Sequence, residues 1–204
     1  MLCDFTCPSN CTCYGHAFFC TGTFLPSDYQ ELRYLHAPNT DLILQDFQSN
    51  VMLIFLNLAH CDIVNISDVN FPVLRHLDLS FNKLRVVSSK QLMTLKNLLT
   101  LSLSGNPVMS LFQDSITKDG IPSYSHNLLS LDLSSIEINT LNVSMLSIFP
   151  KLSSLNLSSC GVRTVNEGFY MGVERLTILD LEGCPMDTFP RNVLKHLPLL
   201  TNVR

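Results

Sequence analysis

One spacing constrains this chain more than any other feature. In "KLSSLNLSSCGV", Lys151 to Val162, apolar residues fall at Leu152, Leu155, Leu157, Cys160 and Val162. The frame, L-x-x-L-x-L-x-x-[N/C]-x-L, returns at Leu176, Leu179, Leu181, Cys184 and Met186. It also returns at Leu74, Leu77, Leu79, Asn82 and Leu84, and at Leu98, Leu101, Leu103, Asn106 and Val108. Looser copies start at Leu32, Leu53 and Leu128, and an eighth starts at Leu200 and breaks off at Arg204. The starts are separated by 21, 21, 24, 30, 24, 24 and 24 residues. A unit of that length cannot bury its own apolar face. A near-constant period therefore means stacked neighbours that share one continuous core.

The frame is identified as a leucine-rich repeat. Its L-x-L centre is a short strand whose alternate side chains point in and out. The inward leucines stack on those of the next repeat, and the strands form a parallel sheet. The expected fold is thus an α/β repeat, a right-handed leucine-rich repeat solenoid or horseshoe with the sheet on its concave side. Thirteen residues after the first leucine come Ile66, Val87, Leu111, Leu141, Val165 and Phe189. Five further on in the 24-residue copies come Leu92, Leu146, Tyr170 and Leu194. These are expected to line the convex half of the core. Pro150, Pro190 and Pro198 argue against long convex helices, so short helical turns or irregular segments are expected there.

The ninth position of the frame normally holds asparagine, whose amide satisfies backbone groups where the chain leaves the strand. Asn82 and Asn106 fill it in two repeats, Cys61, Cys160 and Cys184 in three, Thr40 and Ile136 in the others. Cysteine is small and content to be buried, so these three are expected as buried thiols. A bridge between Cys160 and Cys184 is conceivable in distance, but parallel inward side chains give it poor geometry.

The other cysteines cluster in "CDFTCPSNCTCYGHAFFC", Cys3 to Cys20. Taken alone, four of them, Cys7, Cys11, Cys13 and Cys20, allow three pairings. Zinc is the rival reading, disfavoured because paired C-x2-C knuckles are missing. The run C-P-x-x-C-x-C-x6-C resembles the N-terminal cap of extracellular leucine-rich repeat proteins, a stapled module that covers the first apolar layer. That resemblance implies the pairs Cys7–Cys13 and Cys11–Cys20 and leaves Cys3 over. Two segments are expected: the cap, 1–24, and the array, 25–204, with about seven repeats and a truncated eighth.

Composition narrows the function classes. The net charge is −4 with no block of like charge, so no nucleic-acid footprint or basic membrane patch is expected. No run of 18 apolar residues encodes a transmembrane helix, and no basic-then-apolar start marks a signal peptide. Since the eighth copy ends inside its strand, the natural protein is expected to continue past Arg204. Sequons stand at Asn10, Asn65, Asn142 and Asn156, a push toward the secretory pathway. Asn65 and Asn142, on return segments, are the expected glycosylation sites, while Asn156 falls on the concave strand. An enzyme is not expected. The six histidines, His16, His36, His60, His76, His126 and His196, show no H-E-x-x-H spacing, and no G-x-S-x-G elbow or glycine-rich phosphate loop occurs. His76 and Asp78 share one strand but lack a nucleophile. No cofactor and no metal site are expected.

Two stretches carry a finer resemblance. "LLSLDLSSIEINTL", Leu128 to Leu141, resembles the late repeats of relaxin-family peptide receptors. "LTILDLEGCPMDTFPRNVLKHLPLLTNV", Leu176 to Val203, is similar to the stretch before the hinge in leucine-rich repeat G-protein-coupled receptors, particularly the molluscan type with LDL-receptor-like modules. These 204 residues contain no such module, no hinge and no seven-helix domain. The resemblance implies a ligand-binding ectodomain held on the extracellular side of the plasma membrane, itself soluble, with a seven-helix domain C-terminal to it. It also implies a peptide or protein hormone read by the concave face. The outward central positions are His36, Asn57, Asp78, Ser102, Asp132, Asn156 and Asp180, flanked by Tyr34, Phe55, His76, Phe81, Ile178 and Glu182. Relaxin-type receptors grip basic hormone side chains with concave acids, which here would be Asp78, Asp132, Asp180 and Glu182. The bland alternative is that Asp and Asn at this position serve solubility alone. The competing functional reading is a Toll-like or adhesion-type recognition protein without a heptahelical partner. The 30-residue fourth repeat carries an insert, Ser115 to Asn127, read as a surface loop, with a partner contact through Ile121 and Tyr124 as the alternative.

Overall fold

The computed structural model describes residues 6–24, 26–66, 70–92, 94–112, 127–138, 140–141, 146–165, 172–186 and 191–204. Strands β1 (Cys11–Tyr14) and β2 (Ala17–Cys20) form an antiparallel hairpin whose turn is made by Gly15 at φ +60 and His16. One strand per repeat follows: β3 (Tyr34–His36), β4 (Phe55–Asn57) and β5 (His76–Asp78). The return segments contribute β6 (Val86–Val87), β8 (Ser110–Leu111), β10 (Thr140–Leu141) and β12 (Thr164–Val165). Repeat strands continue as β7 (Thr100–Ser102), β9 (Ser130–Asp132), β11 (Ser154–Asn156), β13 (Ile178–Asp180) and β14 (Asn202–Val203). The main sheet has ten strands in the order β1-β2-β3-β4-β5-β7-β9-β11-β13-β14, parallel from β2 onward.

The register places Leu35, Leu56, Leu77, Leu101, Leu131, Leu155 and Leu179 opposite one another. All seven are buried, and each fully buried leucine is worth about 1.5–3 kcal/mol. Phe47, Phe71, Phe112 and Phe149 fill the wider return side, the last two edge-to-face at 5.1 Å. The return side also holds 3-10 turns at Pro26–Asp28 and Leu44–Phe47 and the short helices α1 (Ser89–Leu92) and α2 (Arg191–Lys195). The sequence reading missed the two convex ladders, β6 with β8 and β10 with β12. Once neighbouring returns run extended side by side, their backbone groups pair.

Of the expected convex positions, Ile66, Val87, Leu92, Leu111, Leu146 and Val165 are buried. Leu194 is not: it is 47% exposed. In a solenoid that face is closed by the next return segment, and residues 1–204 include none after Leu194. For the same reason Cys184, expected to be buried, is only half-buried. Tyr170, Phe189, Cys3, Asn142 and residues 113–126 of the insert region, with Ile121 and Tyr124, lie outside the described residues, and of Leu141 only the backbone is described.

Each turn out of the main sheet is built alike. Asn39, His60, Phe81, Gly105, Ser135, Ser159 and Gly183, all eighth in the frame, take φ between +53 and +72. The left-handed turn lets the residue's N–H continue the ladder into the next repeat, as Phe81 N to Ser104 O at 2.7 Å and Gly105 N to Ser134 O at 2.9 Å. The ninth residue then fastens the turn. Asn82 accepts the N–H groups of Cys61 and Ile63, both at 2.9 Å, and donates to Leu58 O at 2.8 Å and Leu79 O at 2.9 Å. Asn106 does the same for Leu84 N, Leu79 O and Leu103 O. Cysteine keeps only the donor half: Cys160 Sγ reaches Leu133 O at 2.9 Å and Cys184 Sγ reaches Leu157 O at 3.0 Å. Where no asparagine follows, the freed N–H turns back on its own strand end, as Val108 N to Asn106 O and Ile138 N to Ile136 O, both 2.8 Å. Cys61, Cys160 and Cys184 are free thiols. Burial pushes Cys160 up to about 11 and raises Cys184 as well, so both stay protonated donors at neutral pH.

The cap is stapled by Cys7–Cys13 and Cys11–Cys20, the latter bridging directly opposed residues of the hairpin. Phe18 is buried beneath it, edge-on to Tyr29 at 5.0 Å and packed on Phe24 at 6.0 Å. Three rings thus cover the first leucine layer.

Candidate recognition face

On the concave side the strands present two outward rows. The row closing each strand runs His36, Asn57, Asp78, Ser102, Asp132, Asn156, Asp180 in direct register. Carboxylates therefore stand on every second strand, at β5, β9 and β13, about 10 Å apart at ordinary strand spacing. Part of each carboxylate is committed to the turn. One oxygen of Asp78 accepts Ser80 N at 2.9 Å and Ser80 Oγ at 2.6 Å. Asp132 accepts Ser134 N at 2.9 Å, and Asp180 accepts Glu182 N at 3.0 Å. Asn57 and Asn156 make the same turn to Ala59 N and Ser158 N, each 3.0 Å. Asp and Asn recur here because a short side-chain oxygen mimics the carbonyl that an Asx turn needs. That structural role does not use the second oxygen. Asn57 Nδ2 donates to the second oxygen of Asp78 at 3.1 Å. Among the described residues no cation pairs with Asp78, Asp132 or Asp180.

The other row opens each strand. Its N-terminal part is aromatic: Tyr34 stacks on Phe55, ring centroids 4.0 Å apart and planes at 7°, and Phe55 meets His76 at 6.2 Å. His76 Nδ1 is hydrogen-bonded to Thr100 Oγ1 at 2.9 Å, which holds the ring upright on the sheet. The ladder extends into the cap, because Phe19 lies 5.5 Å from Tyr34 and Tyr14 lies 6.1 Å from Phe19. The sequence reading missed Phe19 and Tyr14. The signal for Phe19 was the alternation in "AFFC", which continues the strand pattern of the array once β2 pairs with β3.

A cleft of about 230 Å³ gathers four of the expected residues, Phe55, His76, Asp78 and Asp132, with Thr100, Ser102 and Ser130. Tyr34 borders it through its stack on Phe55. Ile178, Asp180 and Glu182 stand two strands beyond Asp132, outside that cleft. Phe81 sits beside the sheet rather than on it. It is 49% exposed, stacks on His60 at 4.6 Å and covers Gly105, where a Cβ would meet its ring at 2.5 Å. Asn65 is exposed on the return side, and Asn156 is half-buried on β11. Among the described residues no group of three metal-ligating side chains converges, and no helix is long and apolar enough to cross a membrane.

The Leucine Rich Repeat family model matches residues 73–95, the third repeat. No curated protein matches the chain in sequence. Among solved structures, internalin C2 from Listeria monocytogenes str. 4b F2365 superposes with a TM-score of 0.71 at 16% identity, over 93% of this chain and 80% of that one. The TLR13–ssRNA13 complex superposes with a TM-score of 0.45 at 18% identity, over 88% of this chain and 32% of that one. The repeat frame, the parallel sheet with its stapled cap, the match to the repeat model and the superposition on internalin C2 give one conclusion: the chain folds as a leucine-rich repeat solenoid, and its open sheet face suits it to protein–protein recognition.

Proposed function

We propose that this chain is the ligand-reading ectodomain of a cell-surface receptor, G-protein-coupled with a seven-helix domain C-terminal to it, and that its ligand is a basic peptide or protein hormone. The observation that carries the reading is the concave face itself: an aromatic ladder beside three carboxylates on alternate strands, none with a cation among the described residues. A peptide would lay an apolar or aromatic end on Tyr34 and Phe55 and reach Asp78, Asp132 and Asp180 with basic side chains spaced about 10 Å, three residues of an extended chain. Charge-assisted hydrogen bonds to the second oxygens of Asp132 and Asp180, and to Asp78 beside its bond from Asn57, would orient it. The receptor class rests on the resemblance of Leu128–Leu141 and Leu176–Val203, and the two disulfides and four sequons support a location outside the cell.

The test is binding of a panel of basic amphipathic peptides to the wild-type chain and to Asp132→Ala, Asp132→Arg and Asp180→Arg. Reversal should weaken binding more than truncation, because like charge repels whereas alanine only forfeits the pair. Affinity unchanged by both reversals at low salt makes the row a solvated face and removes the reading. The coding sequence past Arg204 tests the receptor class: seven apolar spans support it, one span or none favours the adhesion or Toll-like alternative.

A further inference from the structure

A second surface lies off the concave face, along the rim where the strands begin. A groove of about 860 Å³ crosses successive repeats there. Its apolar lining includes Met52, Ile54, Val73 and Leu129, which are 43%, 38%, 39% and 41% exposed. In the frame Ile54 and Leu129 take the second position and Met52 and Val73 the place just before the first leucine, none of which is needed for the core. Four aliphatic side chains so placed form one continuous patch, the arrangement that marks interaction sites.

The charges on this groove are of one sign. Arg33, Arg75 and Lys151 line it, and no Asp or Glu does, in a chain whose net charge is −4. Among the described residues no carboxylate lies within ion-pair distance of these cations. Lys151 Nζ donates to the neutral Asn127 Oδ1 at 2.7 Å. The acid nearest in sequence to Arg33, Glu31, stands 3.9 Å from His16 Nδ1 instead. Arg33 and Arg75 flank β3 and β5, two strands apart, and Lys151 precedes β11, three strands further. Five strand spacings make the groove about 24 Å long.

We propose that this rim groove docks an acidic polypeptide segment of a protein partner, in which carboxylates three or four residues apart are separated by aliphatic side chains. About seven extended residues span it. The carboxylates would meet the guanidinium groups of Arg33 and Arg75, which bind such groups bidentately, and the aliphatic side chains would cover Ile54 and Leu129. The occupant is the opposite in charge to the ligand proposed for the concave face, so one molecule of this protein can hold both.

A display library of random twelve-residue peptides, selected on the whole 204-residue protein, tests this. Enriched sequences should combine Asp or Glu with Leu, Ile or Val. Their affinity should fall about tenfold or more in Arg33→Glu/Arg75→Glu, since reversal adds repulsion to the lost pairs, and should fall likewise in Ile54→Asp/Leu129→Asp. Asp180→Arg should leave it within about twofold, because Asp180 closes β13, a strand past the last one the groove reaches, and stands on the concave row. All four rim positions are exposed, and unchanged urea midpoints would show that the variants fold. No enrichment, enrichment of basic sequences, or acidic peptides that bind the reversed protein equally well would overturn the proposal. Binding of phosphatidylserine vesicles with the same Arg33 and Arg75 dependence would overturn it too, by assigning the groove to a membrane.

Discussion

Replacing Asn82 by alanine isolates what the asparagine ladder contributes. The side chain is buried and its amide holds two layers together: Oδ1 takes the N–H groups of Cys61 and Ile63, and Nδ2 reaches Leu58 O and Leu79 O. Alanine removes all of these bonds, but not all partners are left unpaired. Leu79 O keeps its bond from Asn106 Nδ2. Ile63 N has a local escape onto Cys61 O, the turn that Val108 and Ile138 already make. Cys61 N and Leu58 O can close on each other, as Cys160 N closes on Leu157 O at 3.2 Å where no asparagine follows, but that bond is longer than the two it replaces. Four bonds exchanged for two local ones, together with the cavity the amide leaves, give a loss of about 3 kcal/mol. Asn82→Cys restores the donor but not the acceptor, as Cys61 and Cys160 do natively, and should lose about 1–2 kcal/mol. Cys160→Ala forfeits one weak donor and a small volume, about 1–2 kcal/mol. Equilibrium urea unfolding with the disulfides intact measures the series. Because layers interact with their neighbours alone, amide exchange should quicken first at Cys61. Asn82→Ala costing no more than Cys160→Ala would refute the reasoning, for then the bonds to the neighbouring layer add nothing net.

Three further outcomes are expected. Cys11→Ser or Cys20→Ser should lower stability by about 2–5 kcal/mol, typical of a staple in a small secreted module, with Phe18 losing its cover; denaturation midpoints and peptide mapping of the unreduced protein check it. The thiol of Cys160 ionises near 9.0 when unfolded and near about 11 when folded, so the stability it contributes is full below pH 9 and is lost as pH rises toward 11. Wild-type urea midpoints should accordingly fall faster over that window than those of Cys160→Ala, and equal slopes would contradict the assignment. In a secretory host, Asn65, exposed on the return side, should carry glycan more fully than Asn156, whose Oδ1 is held by Ser158 N at 3.0 Å on the concave strand. Site-by-site mass spectrometry decides, and near-complete occupancy at Asn156 would move the ligand site off that strand.

Local pattern carried most of the architecture. The leucine frame alone specifies an inward side chain every second residue and a shared core every repeat, because no unit of 21 to 30 residues can bury such a face alone. The stapled cap was legible by resemblance, and the buried thiols of Cys61 and Cys160 from their place in the frame, though not the half-exposure of Cys184. The tertiary structure decided what depends on lateral neighbours. The left-handed eighth position, imposed on Phe81 and His60 as firmly as on Gly105, follows from the ladder that its N–H must continue. The stack of Tyr34 on Phe55 and its extension through Phe19 require β2 to dock on β3, a pairing between the cap and the array that no repeat spacing states. The even placement of Asp78, Asp132 and Asp180 survives a 30-residue repeat because the strands pair in register, and the extra residues leave that pairing untouched. The rim groove was hidden for a related reason. Its residues occupy variable positions of the frame, and only stacking brings Arg33, Arg75 and Lys151, far apart in sequence, onto one edge beside Ile54 and Leu129.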